Sequence, residues 1–261
     1  MTVQLDMMAS VCGRHEAAVE LREVSMRVVF VHGACALDSD WWWHRMVEPL
    51  AALGLESRSV ELPSCGERAG AAYGADLYAD ADAVRAVLDE EPGHPALLCG
   101  HSYGGMVITD AAAGRDDIRH LLYVTAVVPD VGESLAALAG PNPAPWVVPR
   151  DDGTVVPNTA VDLRGAFLYD CDEEAVAGAF RRLGPQSQAV FAQAPRGVAW
   201  HETPSTYVVC TGDRATPPEK QREFARRASR VLDLPVGHHP FLSHPGLLAD
   251  LIGEIAREVG A

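Results

Sequence analysis

The pentapeptide Gly100–His101–Ser102–Tyr103–Gly104, followed at once by Gly105, restricts this chain more than any other stretch. The apolar run Ala96–Leu97–Leu98–Cys99 leads into it, and Met106 to Ala113 reads as helix. A G-x-S-x-G between strand and helix is a turn so tight that bulky Cβ atoms would clash where the two elements approach. The serine at its apex carries its hydroxyl out over the edge of a sheet. Chance matches to the pentapeptide are common, so the strand–turn–helix setting is what singles out Ser102 as a candidate nucleophile.

The flanking chain supplies the rest of such a sheet. Met26–Val31 is a compact apolar strand running into His32–Gly33–Ala34–Cys35, where a strand-end loop can turn backbone N–H groups inward. Asp38–Ser39–Asp40 caps a helix that opens on Trp41–Trp42–Trp43 and runs to about Leu53. Three consecutive tryptophans cannot share one helix face, so one packs in the core and another is a candidate for the mouth of a site. Leu55–Leu62 is a second strand, ended by Pro63. From Tyr73 to about Glu90 apolar residues fall at 77, 81, 84, 87 and 88, a helical period. After the elbow, Leu121–Val127 is a further strand closed by Pro129. Alternating strands and helices of this kind form a mostly parallel sheet with helices on both faces.

The alternation breaks from Asp130 to about Glu202, where prolines stand at 141, 143, 145, 149 and 157. No strong strand is legible there, and helices are expected near Glu133–Leu138, Glu173–Leu183 and Pro185–Ala192. Some seventy residues exceed an ordinary connection and imply a lid over the sheet's carboxyl edge. The α/β order resumes with Ser205–Cys210, a helix from Pro217 to Ala228, a strand Arg230–Leu234 and a helix from about Pro245 to Val259. The expected organisation is a leader or edge segment over 1–25, a core over 26–129 and 203–261, and a mainly helical cap over 130–202.

At 48% apolar residues, a chain of 261 can bury one large α/β core. A formal net charge of −15 repels phosphate backbones and anionic membrane faces, which excludes nucleic acid and membrane as partners. No run reaches transmembrane length. Cysteines at 12, 35, 65, 99, 171 and 210 have no metal-like spacing, so free thiols in a reducing cytoplasm are expected. Lys220 is the sole lysine beside twenty arginines, which removes lysine chemistry from almost the whole chain.

A serine nucleophile needs a base, and the base needs a carboxylate to orient it. On a sheet with this elbow they follow in the order serine, acid, histidine. The acid belongs at the carboxyl end of a later strand, and Thr206–Cys210 followed by Thr211–Gly212–Asp213 meets that demand; Asp233 and Asp250 are the weaker alternatives. The histidine belongs in the loop after the last strand, Val236–Gly237–His238–His239–Pro240, with His244 close behind. His238 stands nearest the strand end and is the candidate base. Adjacent His238 and His239 point different ways and lack companion ligands at hydrolase-metal spacing, so no metal and no cofactor is expected.

These stretches resemble the α/β-hydrolases, and within them the branch of plant hydroxynitrile lyases, methyl-salicylate-type esterases and their bacterial homologues. The resemblance runs over roughly residues 26–259. It is carried by Val31–His32–Gly33–Ala34–Cys35, by Gly100 to Gly105, by Tyr207 through Gly212–Asp213–Arg214–Ala215–Thr216–Pro217–Pro218, and by His238 with Leu242–Ser243–His244–Pro245. It implies an α/β-hydrolase fold with a cap, and an oxyanion hole made by the backbone N–H groups of Ala34 and Tyr103. Lyases of the branch carry a lysine after the histidine and a threonine in the oxyanion region; here those places hold His239 and Ala34–Cys35.

The expected chemistry is therefore cleavage of a small to medium apolar ester through an acyl-enzyme on Ser102. Cyanohydrin cleavage, thioester or lactone hydrolysis, cyclisation in a small-molecule pathway and a non-catalytic binding role are the alternatives. His32, Cys35, His101, Trp146, Phe167 and His239 are candidate pocket residues. The chain is expected to act as a monomer or homodimer on a small molecule.

Overall fold

The computed structural model describes residues 26–67, 69, 75–140 and 145–260. The expected leader over 1–25, Cys12 and the expected helix start at Tyr73 lie outside them.

Six strands form one parallel sheet: β1 (Arg27–Val31), β2 (Glu56–Val60), β3 (Ala96–His101), β4 (Ile118–Val124), β8 (Ser205–Cys210) and β9 (Arg230–Leu234), in the order β2-β1-β3-β4-β8-β9. The inner strands β1, β3 and β8 are buried at every residue, which is why Val28–Val31, Ala96–Cys99 and Tyr207–Cys210 read as unbroken apolar runs. The edge strands β2 and β9 alternate and carry the charges.

Side chains alternate between the two faces with period two. Val28, Phe30, Leu97, Cys99, Val208 and Cys210 pack with α1 (Ser39–Ala52) and α10 (Pro245–Gly260). Val29, Val31, Leu98, Tyr123, Tyr207 and Val209 face the other way, onto α2 (Leu77–Asp89), α3 (Gly104–Ala111) and α8 (Pro218–Ala225). The tryptophan run divides as helical geometry requires. Trp43 stacks on Phe30 with ring centroids 4.2 Å apart, Trp42 turns to the cavity described below, and Trp41 lies under the Arg182 guanidinium.

Because β1 pairs with β2 on one side and β3 on the other, the chain reverses its winding between β1 and β3. The carboxyl ends of these two strands open a crevice at that switch point, where ligands bind in sheets of this kind. His32–Gly33 follows β1 and Ser102 follows β3, so topology alone brings them together.

Between β4 and β8 the chain forms α4 (Leu135–Ala139), α5 (Leu163–Phe167), α6 (Glu173–Phe180), α7 (Ala189–Ala192) and a 3-10 turn at Ala199–His201. It also forms a three-stranded antiparallel sheet of β5 (Val147–Pro149), β6 (Thr154–Pro157) and β7 (Gln186–Ser187), where the sequence shows no strong strand. These strands are two to four residues long, below the length at which alternation is legible. Pro149 and Pro157 sit at strand ends, where a missing N–H is tolerated. The helix expected over Pro185–Ala192 is cut to α7 because Gln186–Ser187 pairs with Thr154–Val155. Residues 182–187 are threaded between the loops after β1 and β2. Leu37 N–H donates to Arg182 O, Gly184 N–H to Cys35 O and Gly66 N–H to Pro185 O, at 2.8, 2.9 and 2.8 Å.

β4 ends at Val124, three residues short of the expected strand, because Thr125 turns to a φ of 41°. A short helix, α9 (Pro240–Ser243), follows His239 directly.

Candidate active site

The elbow is built by close approach. A Cβ on Gly104 would lie 2.4 Å from Val31 O, and one on Gly105 would lie 2.1 Å from Val127 O. Both obstacles are backbone and cannot swing aside. Gly105→Ala is expected to cost about 3 kcal/mol or more, the upper range for overpacking a core; an unchanged urea midpoint would contradict this account of the elbow. Ser102 itself sits at φ 52°, a left-handed conformation that a serine holds only at some cost in strain. Its N–H donates to Val124 O at 3.3 Å, and its carbonyl accepts from Gly105 N–H and Val127 N–H at 3.2 and 3.0 Å.

Asp213 follows β8 and is buried. Its Oδ2 accepts from His238 Nδ1–H at 2.7 Å and from Thr125 Oγ1–H at 2.6 Å. Its Oδ1 accepts from the N–H groups of Ala215 and Thr216 at 2.8 and 3.0 Å. Burial by itself pushes this carboxyl up, but the His238 ring and the hydrogen bonds from His238, Thr125 and Thr216 outweigh it and hold Asp213 below the ordinary carboxylate value. The carboxylate is thus charged and saturated with donors. His238 Nδ1 must carry the proton in this pair, which leaves Nε2 as the ring's basic nitrogen.

Thr125, whose branched side chain is rare at positive φ, gives up strand geometry to aim its hydroxyl at Asp213. Sequence reading missed it, because an unusual φ at a threonine leaves no local signature. Asp170 was missed too; its Oδ2 accepts the Gly237 N–H at 2.7 Å and fixes the residue before His238. The alternatives Asp233 and Asp250 lie elsewhere. Asp233 pairs with Arg222 on the outer edge, and Asp250 is exposed on α10.

Ser102, Tyr103 and His238 line one cavity of about 850 Å³. Ser102 Oγ makes no hydrogen bond among the described residues, so the serine and the base share a cavity wall rather than a bond. Such contacts commonly tighten only when substrate binds. The N–H groups of Ala34 and Tyr103 likewise have no hydrogen-bond partner among the described residues. His32, Cys35, His101, Trp146, Phe167 and His239 all line this cavity, with Trp42, Leu135 and Phe191. The Phe167 ring stands edge-on to His238 and to Trp146, with centroids 5.0 and 5.2 Å apart.

His238 and His239, expected to point different ways, instead bring ring nitrogens together beside His101. One ring nitrogen each from His101, His238 and His239 lies within 4.8 Å of the other two. Each ring also donates one N–H: His238 Nδ1 to Asp213, His101 Nε2 to His238 O at 2.9 Å, and His239 Nδ1 to Phe167 O at 2.9 Å. Burial drives His101 well below the ordinary imidazole value, with the His238 and His239 rings adding to it. Burial, then His238, brings His239 down to about 3. Burial takes His32 to about 4 against a weaker opposing bond to Gly33 O. His32, His101 and His239 are neutral near pH 7, and they wall the site without charging it. The Cys35 thiol is pushed up to about 12 by burial, so it is no rival nucleophile.

Comparison with known proteins adds to this geometry. The model of the family described as the alpha/beta hydrolase family matches residues 28–251. The chain is 29% identical over 246 residues to the alpha/beta hydrolase nvfD of Aspergillus novofumigatus, covering 88% of this chain and 96% of that one. It is 28% identical over 156 residues to the pFDCC methylesterase MES16 of Arabidopsis thaliana, covering 56% and 58%. A crystal structure of a pyrethroid hydrolase from Sphingobium faniae JZ-2 superposes with a TM-score of 0.76 at 24% identity, covering 89% of this chain and 97% of that one, and shares its fold. A strained serine at the switch point of a parallel sheet therefore has its explanation in descent: this chain belongs to the alpha/beta hydrolase family.

Proposed function

We propose that this α/β-hydrolase is a serine carboxylesterase that cleaves apolar esters of small to medium size through an acyl-enzyme. The observation that carries this reading is the buried Asp213–His238 pair, whose His238 lines the same cavity as Ser102. Ser102 Oγ attacks the ester carbonyl carbon while His238 Nε2 takes its proton. Asp213 holds the imidazole tautomer and stabilises the imidazolium. The N–H groups of Ala34 and Tyr103 receive the oxyanion as the carbonyl becomes tetrahedral. His238 then protonates the departing alkoxide, activates a water for attack on the acyl carbon and returns the proton to Ser102.

The segment 130–202 acts as a cap that closes the apolar cavity over the acyl group. About 850 Å³ lies in the upper part of the range for small-molecule pockets, which favours a medium-sized substrate. The names of relatives, a methylesterase and a pyrethroid hydrolase among them, agree with an ester.

Labelling with a fluorophosphonate, together with turnover of a p-nitrophenyl ester, tests the reading. Modification of Ser102 with hydrolysis is the expected result, and an unlabelled, inactive protein would point to a binding role instead. Asp213→Asn should keep the fold but lower kcat about 10⁴-fold, because the amide no longer selects the productive tautomer. A loss below tenfold would remove Asp213 from the mechanism.

His239 argues against cyanohydrin cleavage. Where lyases of this branch carry a lysine, a ring brought down to about 3 has no positive charge to hold cyanide near neutral pH. Mandelonitrile should release cyanide no faster with the protein than without it.

A further inference from the structure

The most unusual buried group outside the reacting atoms is Asp80, in the first turn of α2 and without solvent exposure. It forms no ion pair among the described residues. Its Oδ1 accepts from Ser64 N–H at 2.8 Å, and its Oδ2 accepts from Ser64 Oγ–H at 2.6 Å and Tyr103 Oη–H at 2.7 Å. Ser64 Oγ in turn accepts from Gln186 Nε2–H at 3.1 Å, and Gln186 Oε1 accepts the Cys35 N–H at 3.0 Å. Asp80, Tyr103, Ser64, Gln186 and Cys35 are all buried.

This chain of bonds begins and ends at the two halves of the oxyanion hole. Tyr103 follows the nucleophile and offers one N–H. Cys35 N belongs to the peptide joining Ala34 to Cys35, so its bond to Gln186 sets that peptide plane and the direction of the Ala34 N–H one residue back. Cys35 is also held at a φ of 57° with its carbonyl bonded to Gly184 N–H, so the loop is gripped on both sides of the residue. Gln186 comes from β7, so the segment between β4 and β8 takes part in holding the site. A carboxylate removed from water with no cation beside it is expensive unless donors converge on it. Two of the three hydrogen bonds Asp80 accepts come from Ser64 and the third from the residue beside the nucleophile.

We propose that Asp80 is a positioning residue for the oxyanion hole, aligning the Tyr103 and Ala34 N–H groups from both sides through one buried hydrogen-bond chain. The proposal rests on the esterase reading of Ser102. Asp80 touches no substrate; it acts by removing the freedom of two backbone donors that must already point at the oxyanion when it forms. Burial raises its carboxyl to about 6 against the bonds from Ser64 and Tyr103, and the nearby Asp76 pushes the same way. The other titratable groups facing this cluster, Tyr103 and Cys65, are both driven well up by burial and stay neutral.

The test is a double-variant cycle on the full chain with Asp80→Asn and Tyr103→Phe. It reads kcat and KM on a p-nitrophenyl ester and the affinity for a trifluoromethyl ketone, whose adduct carries the oxyanion. Asp80→Asn should lower kcat by about 10- to 100-fold, less than outright loss of one donor. KM should stay within about twofold, and the ketone should weaken in step with kcat/KM. Because both changes cut the same chain, the double variant should be no slower than the slower single one. A kcat loss below twofold in folded Asp80→Asn, or losses that multiply in the double variant, would overturn the proposal. Should Asp80→Asn fail to fold, Ser64→Ala removes the shared hydroxyl alone; an unchanged kcat there would overturn it equally. If the unaltered protein neither labels at Ser102 nor turns over, it is the esterase reading that fails.

Discussion

Ser102→Ala should lower kcat by roughly 10⁶-fold on any ester the protein turns over, the scale seen when a triad serine is removed. Alanine at this place keeps the elbow, since the Cβ of Ser102 is already accommodated, and only Oγ is lost. The cavity, the Asp213–His238 pair and the backbone of Ala34 and Tyr103 all remain. Substrate should therefore still bind, with a dissociation constant near the original KM, while fluorophosphonate labelling disappears. Residual hydrolysis of about 10³-fold over water is expected from the oxyanion donors and binding alone. A variant that keeps more than a hundredth of the activity would mean that another group is the nucleophile. The Cys35 thiol, pushed up to about 12, could not take that place near neutral pH.

Mild acid should unfold the protein near pH 5. His32 and His120 are brought to about 4 and His239 to about 3, chiefly by burial, and His101 falls well below the ordinary value for the same reason. Their unfolded counterparts take up protons near pH 6.5. Between those values the unfolded chain binds more protons than the folded one, so stability is present above pH 6.5 and is lost as pH falls toward 4. A ring brought from 6.5 to about 4 forfeits about 3 kcal/mol across that window, and His32, His120 and His239 together rival the 5–15 kcal/mol a domain of this kind possesses. Asp80 works in the opposite sense. Its carboxyl is raised to about 6, so the folded state gains a proton first and recovers part of the loss as pH falls from 6 toward 4. One raised carboxyl does not balance four depressed imidazoles. Tryptophan fluorescence followed from pH 8 to 4 should show a cooperative transition near pH 5, and His120→Gln should move it to lower pH. A protein still folded at pH 4 would mean that these rings meet water in a way their burial does not suggest.

The two expectations draw on different parts of the chain, and so did the sequence reading behind them. Strands buried on both faces, such as Val28–Val31 and Leu97–Cys99, write themselves as continuous apolar runs, and long helices against them show a clear period. The order of elements marks two places after the elbow for an acid and a base, and the residues there, Asp213 and His238, meet in one hydrogen bond. Thr125 was not legible, since its role depends on a backbone angle. Asp80 left a trace: it lies on the same helical face as Leu77, Ala81, Val84 and Leu88, an acid within an apolar stripe. That signal marks a buried carboxylate, but its partners Ser64 and Tyr103, and Gln186 beyond Ser64, come from three separate places in the chain.

The elbow shows where this division lies. Local sterics require glycine at 104 and 105 and put a small, strained residue at 102, so the candidate nucleophile and the parallel sheet around it are written along the chain. Which donors hold Asp213 charged was settled only when Thr125, 88 residues earlier, and His238, 25 residues later, packed against it. So was the coupling of the loop after β1 to a glutamine from the segment beyond β4. Hydrogen bonds and burial act through space, and a sequence records neighbours along the chain alone.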